Sequence, residues 1–257
     1  MEDMMSKVNI NDSVVFVTGA NRKKGIGRAL VEEAIRRGAK KVYATARDLS
    51  QLDDLVAKYH GKVVAVKLDV TDQKQIQQAS EIASDTQILL NNAGCCGFSG
   101  CIHNYKEETT RLEFETNFFA PLYLMRAFSK NLIRNNAGAI VNIVSIGALM
   151  PFPMAATYSA SKAALYSLTQ AVRIEMMQHK VSVFGVYPGP IDTDMSKDLN
   201  VSKGDPLQAA VRIFDGMENG IEEITTDKLA DAFSDSLKKD LRAIEAIKEE
   251  FGQGNPH

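Results

Sequence analysis

Short runs of β-branched and apolar residues alternate along this chain with stretches whose apolar positions recur every three or four residues. Residues 13–18 (Ser-Val-Val-Phe-Val-Thr) form a continuous apolar run of the kind that a strand buried on both faces requires. From Gly25 to Arg37, Ile26, Ala29, Leu30 and Ala34 fall on one helical face, and Gly38 closes the helix. The alternation continues with strands over 41–46 and 62–68 and helices over 49–58 and from Thr71 or Asp72 to Ala83. A short strand over 87–90 enters Asn91-Asn92-Ala93-Gly94, and a long helix over 109–134 carries Pro121 as a kink. A strand over 139–144, a helix over 157–179 and a strand over 181–186 follow, the last stopped by Pro188. Beyond these the pattern gives a helix over 207–217, a strand over 222–225 and a charged amphipathic helix over 228–251. Strands and helices in strict alternation, joined by short turns, are what a doubly wound parallel sheet needs. No linker or repeat divides the chain, so the pattern predicts one α/β domain over 1–257, with frayed ends at about 1–11 and 252–257.

Composition narrows the function classes. Thirty Lys and Arg against thirty-two Asp and Glu leave a net charge of -2, which gives no global attraction to nucleic acid or anionic membrane. No apolar run reaches the roughly eighteen residues of a membrane span. The acidic start, Met1 to Lys7, lacks an apolar signal core, and the three cysteines are clustered within Cys95–Cys101. An odd cysteine count fits a reducing compartment, so the expected location is cytoplasmic.

Three features carry chemistry. Gly19, Gly25 and Gly27 lie between a predicted strand and helix, where bare backbone N–H groups and the helix dipole favour a pyrophosphate. A purely structural turn is the alternative. Twenty residues beyond Gly27, where a dinucleotide fold that prefers NAD presents an acid to the ribose, the chain has Arg47. Its guanidinium fork suits a 2′-phosphate, and Arg22, Lys23 and Lys24 add positive charge, so NADP(H) is the expected cofactor. Asp48 beside Arg47 weighs the other way. Tyr158 and Lys162, four residues apart, lie on one helical face thirteen residues after Ser145. A phenol ionises near pH ~10, and a nearby cation favours the phenolate, so this pair reads as a tunable proton donor. Solvated helices carry the same spacing by chance; the glycine turn, Asn91-Asn92-Ala93-Gly94 and Ser145 give it weight.

In these motifs, from about Ser13 to Met195, the chain resembles the short-chain dehydrogenase/reductase family in its compact single-domain form. The matching residues are Gly19, Gly25-Ile26-Gly27, Asp69-Val70, Asn91 to Gly94, Asn117, Ser145, Tyr158, Lys162, Pro188-Gly189 and Thr193. The resemblance implies a Rossmann-type sheet of about seven parallel strands and a catalytic tetrad of Asn117, Ser145, Tyr158 and Lys162. It also implies cofactor contacts from Gly19, Gly25, Ile26, Gly27, Asp69, Val70, Asn92, Ala93, Gly94, Pro188, Gly189, Ile191 and Thr193, besides Tyr158 and Lys162, to which the charge reading above adds Arg22 and Arg47. One departure stands out: Ala20 to Lys24 puts five residues between the first two glycines where the family has three.

The expected reaction interconverts a carbonyl and an alcohol by hydride transfer, with a small-molecule ketone or aldehyde as substrate and Tyr158 as acid/base. Helices around Asn117 and Tyr158 pair across subunits in such proteins, implying a homodimer or homotetramer. Alternatives are a non-catalytic NADP(H)-binding regulator and a sugar-nucleotide epimerase or dehydratase; the short stretch after Met195 leaves little room for the latter's substrate domain. Phe98, Leu149, Phe152, Met154, Ile191, Met195 and Leu199 are either an apolar substrate pocket or packing beneath loops. The polar stretch 192–204 reads as a lid. Cys95, Cys96, Cys101 and His103 make an awkward zinc set, because adjacent cysteines fit one tetrahedral ion poorly, so no metal is expected. A redox-responsive thiol or plain loop residues are the other readings of these cysteines.

Overall fold

A computed structural model describes residues 7–135 and 138–239 of the chain. Seven strands form one sheet: β1 (Val14–Val17), β2 (Lys41–Ala46), β3 (Val63–Lys67), β4 (Ile88–Asn91), β5 (Ala139–Ile143), β6 (Ser182–Tyr187) and β7 (Glu223–Thr225). Their order is β3-β2-β1-β4-β5-β6-β7, and every pairing is parallel. The chain therefore reverses its direction of progress between β1 and β4. At such a switch point the loops leaving two neighbouring strands diverge and open a crevice at the carboxyl edge.

Eight α-helices cover the sheet among the described residues: α1 (Ile26–Arg36), α2 (Asp53–Lys58), α3 (Gln73–Ile82), α4 (Glu107–Phe114), α5 (Ala120–Arg134), α6 (Ala156–Met177), α7 (Pro206–Asn219) and α8 (Lys228–Lys239). The period-2 geometry of β1 sorts its side chains onto two cores. Val15 and Val17 join Leu30 of α1 and Ile213 and Phe214 of α7 on one face. Val14 and Phe16 join Ile76 of α3 and Leu124 and Phe128 of α5 on the other. Each face buries several large apolar side chains completely, at about 1.5–3 kcal/mol apiece, which makes this two-sided burial the main term holding the sheet.

Local chemistry starts and stops the helices as expected. Asp72 caps α3 by accepting from the N–H groups of Lys74 and Gln75 at 2.9 and 3.2 Å. Gly220, at φ +73°, ends α7 in the left-handed region that glycine tolerates.

Two sequence expectations are corrected. The long helix breaks before Pro121 and not at it: α4 and α5 are separated by a π-helical turn, Glu115–Phe119. Pro121 has no N–H for the Asn117 carbonyl, and the turn widens so that the Ala120 N–H reaches Glu115 O. The amino end is also more ordered than its composition implies. Val8 and Ile10 are buried in the core, and the Val8 N–H donates to Met217 O at 3.1 Å. The remaining parts of the expected frayed ends, 1–6 and 252–257, and positions 240–251 of the expected last helix lie outside the described residues. No helix among the described residues is long and apolar enough to cross a membrane.

Candidate active site

The crevice at the switch point is built on the turn after β1. Gly19 adopts φ +69°, where a side chain would be strained, and a Cβ there would press on the Ala93 backbone at 3.0 Å. A Cβ at Gly27 would strike Gly19 O and Asn92 Nδ2, so the start of α1 approaches the strand more closely than any other residue permits. Thr18 Oγ1 accepts from the N–H groups of Asn92 and Ala93, both at 2.9 Å, while Asn92 Nδ2 donates to Thr18 O at 2.8 Å. These bonds lock the loops after β1 and β4 together. Asn92 therefore acts on loop geometry, and Ala93 and Gly94 follow as the floor of the crevice.

The two additional loop residues are absorbed in a turn over 22–25, closed by Gly25 N to Arg22 O at 3.1 Å. Gly25 precedes α1 with no side-chain cap, and the first turn of α1, beginning Ile26-Gly27, has no acidic residue. Its leading N–H groups and the positive end of the helix dipole are thus left for an anion. Arg22 leans away, pairing with Asp194 at 3.5 Å on the far rim.

Arg47 follows β2 directly, is exposed and makes no hydrogen bond or ion pair with the described residues. Asp48, the acid that weighed against a phosphate, is committed elsewhere: its carboxylate accepts from Ser50 N at 3.0 Å and Ser50 Oγ at 2.8 Å. Asp69 is half-buried after β3 and accepts from Thr71 N and Oγ1 at 3.0 and 2.8 Å, while Val70 is buried in the second core.

The predicted tetrad converges at the carboxyl end of β5. Ser145 follows that strand, with its Oγ accepting from Gly147 N at 3.0 Å, and its hydroxyl is close enough to the Tyr158 phenol to favour the ionised form. Lys162 lies one turn along α6, with Nζ 5.9 Å from the Tyr158 ring centre and donating to Ile143 O at 2.7 Å. Burial pulls the Lys162 ammonium down to about 8. Burial likewise pushes the Tyr158 phenol above its ordinary value, with the Ser145 hydroxyl pulling it back and the acidic groups around it raising it further. The sequence pointed to Lys162 as the lowering influence on Tyr158; here burial dominates both groups and drives each toward its neutral form.

Asn117 sits fully buried in the π turn. Its Oδ1 accepts from Cys95 N at 3.0 Å, and Nδ2 donates to Cys95 O at 2.9 Å and Ser161 Oγ at 3.0 Å. The amide is therefore spent on holding the loop after β4 to α6. A Cβ on Gly94 would lie 3.2 Å from Asn117 Oδ1 and 3.5 Å from Lys162 Nζ, so Gly94 adjoins two members of the tetrad.

Pro188 and Gly189 leave β6 beside Ser145, since Ile146 N donates to Pro188 O at 3.0 Å. Gly189 N donates to Asp227 Oδ2 at 2.8 Å. The stretch 192–204 is pinned at its base by the Ile191–Gly204 bridge, and Ser196 Oγ donates to Ile191 O. Thr193 is half-buried in the same turn, its N–H 3.4 Å from Ser196 Oγ. Of the apolar group, Leu149 and Phe152 pack against a third core cluster with Ile146 and Leu165. Met154 and Met195 are exposed.

The three cysteines are free. Burial pushes the Cys95 thiol up and the Cys96 thiol to about 11, which opposes the reading of either as a reactive thiolate. Among the described residues no three His, Cys, Asp or Glu side chains gather as a metal site.

Two site residues escaped the sequence reading. Asp227 holds the loop after β6 through Gly189. Glu113 is fully buried on α4 and accepts from Gly97 N at 2.8 Å and Thr157 Oγ1 at 2.6 Å, next to Tyr158. Both bonds join residues distant in sequence, so no local spacing signalled them.

Residues 13–204 match the short chain dehydrogenase family. The short-chain dehydrogenase virD of Hypocrea virens is 37% identical over 190 residues, covering 71% of this chain and 63% of its own length. A short chain dehydrogenase from Burkholderia cenocepacia J2315, solved in complex with NADP, is 37% identical with a TM-score of 0.87, covering 93% of this chain and 98% of its own. One from Burkholderia phymatum, solved in complex with NAD, shares the fold at a TM-score of 0.82 and 21% identity, covering 91% and 96%. With the seven-stranded Rossmann-type sheet, this chain belongs to the short-chain dehydrogenase/reductase family of oxidoreductases.

Proposed function

We propose that the protein is an NADP(H)-dependent oxidoreductase that interconverts a ketone or aldehyde and the corresponding alcohol, with Tyr158 as acid/base. The convergence of Ser145, Tyr158 and Lys162 beside Gly94 carries this reading. The residues present fit the cofactor. Gly27 lets the start of α1 close onto the turn after β1, the N-terminus of α1 is uncapped, and Arg47 carries an exposed guanidinium with no ion pair among the described residues. Gly19, Gly25, Ile26 and Gly27 would hold the pyrophosphate, Arg47 a 2′-phosphate, and Asp69 and Val70 the adenine side. Asn92 to Gly94 would line the path to the nicotinamide end, held by Pro188, Gly189, Ile191 and Thr193. When bound, NADP(H) supplies or accepts the hydride.

The chain's own residues handle the proton and the substrate oxygen. Ser145 Oγ would orient that oxygen within reach of the Tyr158 phenol, which stays protonated at neutral pH and can donate. Lys162 would bind ribose hydroxyls and, once a polar group faces it, favour the phenolate left after donation. With the Asn117 amide engaged by Cys95 and Ser161, its part would be to hold the loop after β4 against α6 beside Lys162.

A homodimer or homotetramer belongs to the same proposal, supported by the exposed apolar side chains Leu112 on α4 and Ile174 and Met177 on α6. NADPH oxidation against a panel of ketones, aldehydes and quinones tests the reading. Turnover of at least one carbonyl class supports it, whereas tight NADPH binding with no turnover across the panel would favour a non-catalytic nucleotide-binding regulator.

A further inference from the structure

The substrate side of the crevice is bounded by the loop between β4 and α4, and one buried carboxylate fixes that loop. Glu113 Oε1 accepts from Gly97 N, and Oε2 accepts from Thr157 Oγ1, the residue immediately before Tyr158. Ser99 O accepts from Thr157 N at 3.3 Å, and Ser99 Oγ accepts from Lys106 N at 2.9 Å. A Cβ at Gly97 would strike Thr109, and Phe98 is held at φ +51°, a conformation a bulky side chain avoids unless its surroundings impose it. A carboxylate wholly withdrawn from water is costly unless both oxygens are satisfied, and here each has one donor.

We infer that Glu113 is a positioning residue for the proposed reaction, clamping the loop over 97–106 to the first turn of α6, next to Tyr158. The inference rests on the carbonyl–alcohol reading above. The loop that Glu113 holds carries Phe98, so the clamp sets the substrate side of the crevice.

Glu113→Gln is the conservative variant that keeps the clamp: the new amide donates to Thr157 Oγ1, whose hydroxyl can turn to Ser99 O at 3.3 Å. The KM for carbonyl substrate and amide exchange of segment 97–106 should therefore stay within about twofold of wild type. Glu113→Ala breaks the clamp, and exchange in 97–106 and the KM for carbonyl substrate both rise about fivefold or more, with a smaller fall in kcat. If Glu113→Ala does not fold, Thr157→Val removes one clamp bond at nearly constant size and is expected to raise the same KM and exchange. A Glu113→Gln variant that behaves like Glu113→Ala, or unchanged exchange and KM in the clamp-breaking variant, would overturn the inference. A wild-type protein that turns over no carbonyl refutes the functional reading instead, and exchange then still decides the clamp.

Discussion

Lys162 Nζ lies 5.9 Å from the centre of the Tyr158 ring, yet its hydrogen bond goes to the carbonyl of Ile143, 2.7 Å away. The lysine is thus anchored to the end of β5 and faces the phenol without bonding it. Burial acts on both groups and favours a neutral amine and a protonated phenol.

That arrangement has a consequence for stability. The Lys162 value falls from 10.5 to about 8 on folding, so the folded state binds its proton less readily than the unfolded state. Below about pH 8 the buried ammonium costs the fold stability, and the cost fades as pH rises toward 10.5. Lys162→Met is therefore expected to be more stable than wild type at pH 7, by on the order of 2 kcal/mol. The gap should close as pH rises through that window. Denaturant unfolding at a series of pH values measures it, and a variant less stable than wild type at every pH would rule out the buried-amine cost.

Arg47 carries the proposed cofactor preference. Arg47→Asp exchanges a phosphate-binding fork for an acid that suits a ribose hydroxyl. NADPH affinity should fall about tenfold to a hundredfold while NADH affinity changes by no more than about threefold. Isothermal titration with each cofactor reads this directly, and equal losses for both would reject the phosphate role.

Gly27 is the tightest point of the cradle. Gly27→Ala places a methyl against Gly19 O and Asn92 Nδ2, both part of the bonding that joins the loops after β1 and β4. The expected result is a loss of about 1–3 kcal/mol in stability together with much weaker NADPH binding. Thermal melts with and without NADPH test both parts; wild-type behaviour in the two would show that the turn can relax.

The parts of this site legible in the sequence were those encoded by local spacing. Tyr158 and Lys162 one turn apart, and glycines between a strand and a helix, survive translation into structure because neither depends on distant packing. The alternating elements gave the sheet for the same reason, since strands buried on both faces read as continuous apolar runs. Long-range bonds were invisible. Glu113 is satisfied by residues 16 and 44 positions away, and Val8 is fixed by Met217. Leu149 and Phe152 showed the limit of hydrophobicity as a guide: their character is equally that of a pocket wall, and they pack into the third core cluster. Pro121 marked the helix break, but not that the turn before it would widen and carry Asn117.

The proton-donor role of Tyr158 is tested most directly by Tyr158→Phe, which keeps the ring and deletes only the hydroxyl. With an active carbonyl substrate, single-turnover hydride transfer from NADPH should slow by at least about a hundredfold, while the NADPH dissociation constant stays within about threefold of wild type. Hydride transfer at a rate near wild type would contradict the account.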